Sequence, residues 1–162
     1  MSWEQTTEAD VRVEYLVDGE WQTTPDIAGK AGPNVKTVMG IPLGETSDWR
    51  IVSTDGSLAV DSARPIEQSI PRGMPLPTVI ASDPKQHEPT APYILVSINQ
   101  EACSWCGGNY WLMIIDRAGR PVWATKTLPN RWILYAQVSV TGNALLWDEV
   151  ASFGEESVAH RS

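Results

Sequence analysis

The chain reads YWLMIIDRAGRPVWATK at residues 110–126, which is the pattern of two antiparallel strands joined by a tight turn. Residues 110–115 form an unbroken apolar run, typical of a strand that is buried on both faces. The run stops at Asp116, whose carboxylate can accept a hydrogen bond from the turn backbone, and Gly119 can adopt the positive φ that such turns require. Residues 120–126 then resume as a second strand.

The same pattern continues toward the carboxyl end. Residues 133–140 (ILYAQVSV) predict a third strand, residues 141–143 (TGN) a turn, and residues 144–147 (ALLW) a fourth strand. Consecutive antiparallel strands with this turn spacing are typical of one β-propeller blade. Because one blade cannot close a ring, we expect an incomplete propeller and a chain that is a fragment of a longer gene product.

Composition places the chain in the all-β class and limits its partners. It has 162 residues, of which 42% are hydrophobic, with 12 glycines and 12 prolines that favour many turns over long helices. The net charge of −8 argues against nucleic acid or an anionic membrane as the main partner. No apolar run approaches the roughly 20 residues of a membrane span, and residues 1–6 show no signal peptide.

The sequence divides into three zones. Residues 1–66 contain short alternating segments, with Asp18 and Gly19 as a hairpin turn, and predict a small β-sandwich. Residues 67–92 carry six prolines and predict a linker or an extended strap. Residues 93–162 contain the blade and the start of the next connection.

The first zone resembles a fibronectin type III-like domain. The resemblance is carried by residues 11–15 (VRVEY), by the loop at residues 40–46 (GIPLGET), and by residues 49–52 (WRIV). In that family a short proline-containing loop precedes a strand with an aromatic residue near its start, and Trp49 has this position here. The resemblance implies a fibronectin type III-like β-sandwich.

The third zone resembles the start of the arylsulfotransferase-type β-propellers. The motifs are residues 111–116 (WLMIID), 119–123 (GRPVW) and 142–146 (GNALL). The family implies a bacterial, extracytoplasmic protein, periplasmic or secreted, that transfers sulfate between phenols through a channel-lining histidine. The expected partners are a small aryl sulfate or phenol and the remaining propeller blades. We expect no metal and no cofactor.

The catalytic residues of such an enzyme are not identified by this chain. Family blades often place a histidine near residues 134–136, where this sequence has Tyr135. His87 lies in a polar stretch and is expected to be solvated, while His160 stays a candidate catalytic residue against the alternative of a frayed tail. The four cationic side chains of the blade are Arg117, Arg120, Lys126 and Arg131.

A second candidate for chemistry is the pair Cys103 and Cys106 in the motif CSWC. Zinc is disfavoured because no second cysteine pair or close histidine follows, and haem attachment is excluded because Gly107 stands where it needs histidine. A thioredoxin-like dithiol is disfavoured because two glycines and a strand follow instead of a helix. The pair is therefore a disulfide candidate in an oxidising compartment, with two unreactive thiols as the alternative.

Two functions of different classes follow from these observations. In the first, the chain is the amino-terminal part of an arylsulfotransferase-like protein and is inactive without the rest. In the second, it is a secreted β-rich binding or adhesion module with no catalysis. Whether the parent protein is an enzyme stays open at this point.

Overall fold

The computed structural model describes residues 1–88, 90–99, 110–129, 131–139, 144–151 and 158–161. About half of the residues lie in strands, all paired antiparallel, and the all-β prediction is confirmed. Within this part of the chain there is no helix with the length and apolar character that crossing a membrane requires. The chain divides into two compact units, Met1–Ile70 and Pro71–Ser162.

The first unit is built around the long strand β2. The strands of this unit are β1 (Ser2–Gln5), β2 (Ala9–Val17), β3 (Glu20–Thr23), β4 (Ile27–Gly29), β5 (Gly32–Val35), β6 (Thr46–Ser47), β7 (Trp49–Ser53), β8 (Ala59–Asp61) and β9 (Ile66–Glu67). The main sheet has five strands in the order β3–β2–β7–β8, with β4 also paired to β2. The ladders β1–β5 and β6–β9 are separate two-stranded sheets.

The apolar face of β2 forms the core of the first unit. Val11, Val13 and Tyr15 alternate along the strand and are all buried. Ile41 is also buried, and the hydroxyl of Tyr15 donates a hydrogen bond of 3.0 Å to the carbonyl of Met39. The alternation seen in the sequence therefore places one face of the sheet against a core.

The predicted hairpin turn at Asp18 and Gly19 is confirmed. Both residues have positive φ, 53° and 83°, as a two-residue turn of this kind requires. The short segments predicted for residues 1–66 are therefore present as strands. Among them, β6 and β7 are separated by one residue and pair with different partners.

The turn between β7 and β8 contains an acid with a low pKa. Asp55 accepts hydrogen bonds from the hydroxyl of Ser53 at 2.7 Å and from the backbone N–H of Ser57 at 2.9 Å. These bonds lower the pKa of Asp55 from 3.8 to about 2. Because the folded pKa is the lower one, the carboxylate stabilises the fold above pH 4 and loses this contribution as the pH falls toward 2.

We therefore expect the carboxyl carbon of Asp55 to titrate near pH 2 in NMR spectra of the folded chain. Ser53→Ala should raise that midpoint toward 3.8, because it removes the strongest bond to the carboxylate. The unfolding free energies of wild type and Asp55→Asn should also converge as the pH approaches 2. A midpoint near 3.8 in the wild type would contradict the assignment.

The second unit begins with a three-stranded antiparallel sheet. Its strands are β10 (Tyr93–Asn99), β11 (Tyr110–Asp116) and β12 (Pro121–Lys126), with β11 in the centre. Residues 110–114 are buried, which confirms the prediction of a strand covered on both faces. The predicted hairpin between β11 and β12 is confirmed as well.

The remaining strands form a second sheet around β15. They are β13 (Arg131–Trp132), β14 (Ala136–Val138), β15 (Leu145–Ala151) and β16 (Val158–Arg161), and the other three all pair with β15. The prediction that residues 110–147 form one four-stranded sheet was therefore wrong. The backbone N–H of Thr127 still bonds to the carbonyl of Tyr110 in β11 at 3.0 Å. The next N–H, that of Leu128, instead bonds to the carboxylate of Glu149 in β15 at 3.1 Å.

The predicted third strand at residues 133–140 is interrupted. The carboxylate of Asp148 accepts the backbone N–H groups of Leu134 at 3.1 Å and Tyr135 at 2.8 Å. These donors are consequently withdrawn from the ladder with β15, and a β-bulge separates β13 from β14. Among the described residues 133–139 of the predicted segment, only Ala136–Val138 form a strand.

The two sheets of the second unit pack on one apolar core. Leu112 from the first sheet contacts Ile133 and Leu145 from the second, and all three are buried. Trp123 and Trp147 meet at the edge of this core with ring centroids 6.3 Å apart in an edge-to-face arrangement. The core therefore joins the two sheets.

Candidate functional site

A groove of about 490 Å³ lies on the second unit, beside the end of its first sheet. One wall is an irregular segment, residues 78–83, that continues into a short 3₁₀ helix, Pro84–Gln86. The opposite wall is formed by Ile94 of β10, by Ile115 of β11 and by the turn that follows β11. From here on, the strap means residues 78–83 alone, the part of the predicted linker or strap at residues 67–92 that lines the groove.

The strap carries apolar side chains that the fold leaves exposed. Val79 is 47% exposed and Ile80 is 97% exposed, although both line the groove. Ile94, across the groove, is 39% exposed. In the described part of the chain, the backbone of residues 78–81 makes no hydrogen bond. The groove consequently has apolar walls and a backbone that is accessible to a ligand.

The turn after β11 contributes the cation of the groove. The Nε and Nη2 atoms of Arg117 both donate to the carbonyl of Ala91, the Nε bond being 2.9 Å long. The third nitrogen, Nη1, has no hydrogen-bond partner among the described residues. Arg117 is partly buried and lines the groove.

The negative charge of Asp116, in the same turn, is compensated by Arg120. Asp116 accepts hydrogen bonds from the backbone N–H and from Nε of Arg120, both 2.8 Å long. Gly119 closes the turn with a φ of 83°, as the sequence predicts. The carboxylate of Asp116 is thus paired on its own turn, whereas Arg117 is not paired with an acid in the described structure.

His87 lies on the same groove. It is partly buried, and its Nε2 lies 3.2 Å from the hydroxyl oxygen of Ser82. The sequence predicts a solvated linker histidine, and the fold instead places the ring beside a cavity. Asp83, the acid between them in sequence, caps the 3₁₀ helix by accepting the N–H of Lys85 at 3.1 Å.

The other cations of the predicted blade have structural partners. Lys126 lies with its Nζ 5.9 Å from the ring centroid of Trp111, whose own Nε1 is buried without a hydrogen-bond partner in the described structure. Arg131 donates to the backbone carbonyl of Glu149 at 3.4 Å. These side chains, together with Arg120, hold turns and connections, and only Arg117 of the four lines the groove.

A separate ionic cluster lies on the main sheet of the first unit. Glu14 accepts hydrogen bonds from Arg12 at 3.0 Å and from Arg50 at 2.8 Å, and Arg50 also stacks on Trp21 at 4.1 Å. Burial raises the pKa of Glu14, but the bonds and charges of the two arginines outweigh it and hold the pKa below 4.5. One carboxylate thus bridges an arginine of β2 and an arginine of β7, so we assign this cluster a role in pairing β2 with β7.

The sequence-predicted site residues are not assembled into one site. Cys103 and Cys106 lie outside the described residues. The backbone of His160 lies in β16 opposite Trp147, and its side chain is outside the described part of the structure. Tyr135 is 56% exposed on the β-bulge, and its hydroxyl donates to Gln137. No catalytic assignment follows for any of these residues.

Sequence reasoning missed the groove because its residues come from three separated segments. The available signal was the uncharged sequence TVIAS at residues 78–82, which lies within a proline-rich region. Within the described ranges, no group of three or more His, Cys, Asp or Glu side chains is placed to hold a metal ion. Comparison with protein-family models, with curated proteins and with solved structures found no match for this chain.

Proposed function

We propose that the chain is a scaffold part of an arylsulfotransferase-like β-propeller protein. In this proposal the first unit contains a fibronectin type III-like sandwich at residues 1–66, and residues 67–92 connect it to the blade region at residues 93–162. The parent protein transfers sulfate between phenolic compounds outside the cytoplasm. The chain contributes structure to that protein and no catalysis of its own.

The observation that carries this proposal is the packing of two small antiparallel sheets through Leu112, Ile133 and Leu145. Propeller blades are small antiparallel sheets that pack face to face around a channel. The turn from Asp116 to Gly119 supports the same proposal, because it has the hydrogen bonds and the positive φ expected of the family's turn motif. The two sheets would then belong to the blade region at residues 93–162.

The arrangement of cations explains why we propose no activity for this chain alone. Sulfate transfer requires a nucleophile that accepts the sulfuryl group and cationic donors that hold its oxygens as charge develops on the phenolate. Arg120, Lys126 and Arg131 are engaged with protein groups on separate turns and strands. In the described structure these three do not converge on one cavity with a histidine.

We expect residues 1–162 to release no nitrophenol from 4-nitrophenyl sulfate in the presence of a phenol acceptor. A longer gene product that carries further blades should release it under the same conditions. Turnover by the short chain would contradict the proposed scaffold role, and His87→Ala and His160→Ala variants would then identify the histidine involved. Absence of turnover in the longer product would contradict the proposed family.

The second candidate function is a secreted binding module without catalysis. The open groove with its exposed apolar wall favours this function, because ligand sites typically combine apolar surface with a few polar groups. The same sulfate assay separates the two candidates, since a binding module remains inactive whatever sequence follows it.

A further inference from the structure

We propose that the groove beside the strap binds a small amphipathic organic anion. The apolar body of the ligand would lie against Ile80, Ile94 and Ile115, and its acidic group would bind Arg117. This inference concerns the groove alone and holds for either proposed function.

The volume and the apolar walls of the groove indicate a small ligand with an apolar body. A volume of about 490 Å³ is within the usual range for small-molecule sites, about 300–1,000 Å³. Ile80 is 97% exposed and Val79 is 47% exposed, so a ligand that covers them removes apolar surface from water. An uncharged polar ligand would gain little from these walls.

The guanidinium of Arg117 selects the charge of the ligand's head group. Arg117 is held in place by the carbonyl of Ala91, which leaves Nη1 available for a further acceptor. Asp116 also lines the groove, but Arg120 compensates its charge at 2.8 Å. The carboxylate of Asp83, which also lines the groove, accepts the N–H of Lys85 at the 3₁₀ helix. A fixed guanidinium with an available N–H is suited to a carboxylate or another oxyanion.

Two further groups on the groove can bind the head group. The Nε2 of His87 lies 3.2 Å from the hydroxyl oxygen of Ser82, which fixes the orientation of the ring. The backbone N–H groups of residues 78–81 have no acceptor in the described structure. Ligand oxygens can therefore find neutral donors beside Arg117, a common feature of anion sites in proteins.

The test compares two probes of the same shape with the complete chain. Sodium 3-phenylpropionate and 3-phenylpropanol share an apolar body, but only the first carries a negative charge. We expect NMR titration to give a dissociation constant at least about fivefold lower for the carboxylate, because charge-assisted hydrogen bonds are the stronger ones. The amide signals that shift should be those of the strap and of residues 115–119.

Single-residue variants separate the ionic from the apolar contribution to the affinity for the probes. Arg117→Gln should bring the two affinities within about twofold of each other, whereas Lys126→Gln, which makes the same charge change outside the groove, should leave the preference intact. Ile80→Ser should weaken the binding of both probes by a similar factor, because it removes apolar contact area that both share. The variant should still fold, since the side chain is 97% exposed and contributes little to stability.

Three results would overturn the proposal. The first is that neither probe binds at 10 mM, which is about ten times a dissociation constant of about 1 mM, near −4 kcal/mol. The others are chemical shift changes confined to another surface and an unchanged preference for the carboxylate in Arg117→Gln. If that variant does not fold, intermolecular NOEs in the wild type decide the question. Contacts from the phenyl ring to the methyl groups of Ile94 and Ile115 would support the site, and contacts elsewhere would refute it.

Discussion

Replacing Leu112 by alanine is expected to lower the free energy of unfolding by about 3 kcal/mol. Leu112 is fully buried at the centre of β11, and it contacts Ile133 and Leu145 of the opposing sheet. Removing its isobutyl group leaves a cavity between two sheets that are each held by backbone ladders, so the walls cannot easily collapse. Urea denaturation followed by tryptophan fluorescence measures this loss.

The matched control for this change is Leu134→Ala. Leu134 lies in the same unit but is 67% exposed, so its truncation should change the free energy of unfolding by less than about 0.5 kcal/mol. Similar losses in the two variants would show that the two sheets do not share the core described here. The result bears directly on the proposed function, because the packing of the two sheets on one core is the observation that carries it.

Gly119→Ala is expected to cost about 2–3 kcal/mol, which is more than the positive φ alone explains. Gly119 has a φ of 83°, and a Cβ at this position would overlap the Cγ2 atom of Val79. Alanine would therefore suffer backbone strain and also push the strap away from the turn. The loss is measured by urea denaturation, and strap displacement by the amide shifts of residues 78–83.

Gly73→Ala provides the control for backbone strain. Gly73 has a φ of 78° in the same unit, but a Cβ there would have no atom within 4 Å. Its substitution should cost only about 1 kcal/mol. Combining Gly119→Ala with Val79→Ala should recover part of the loss, because the double variant removes the overlap. Equal losses in Gly73→Ala and Gly119→Ala would mean that the strap does not press against the turn.

Local signals in the sequence predict the turns and the buried strand correctly. The pair Asp18 and Gly19 predicts a hairpin turn, and the sequence from Asp116 to Gly119 predicts the turn after β11. These predictions succeed because the conformational preferences of glycine and aspartate depend on a few neighbouring residues. The apolar run at residues 110–115 likewise identifies a strand that needs cover on both faces.

The sequence did not predict correctly which strands pair with one another. Two side chains on β15 decide it: the carboxylate of Glu149 takes the N–H of Leu128, and that of Asp148 takes those of Leu134 and Tyr135. Each bond joins residues more than ten positions apart, so no local pattern contains it. A continuous four-stranded sheet was consequently predicted where the fold has two sheets.

The sequence by itself determined the all-β class, the tight turns and the buried character of β11, because these follow from composition, alternation and short-range backbone preference. Only the tertiary structure decided where β12 ends its pairing and which residues share the groove. His87, Arg117 and Ile94 belong to different segments, and each has an ordinary sequence context. Their common site arises because the strap crosses beside the end of β11, with Val79 against Gly119. Such a contact depends on the packing of the whole unit, and packing is a long-range property of the chain.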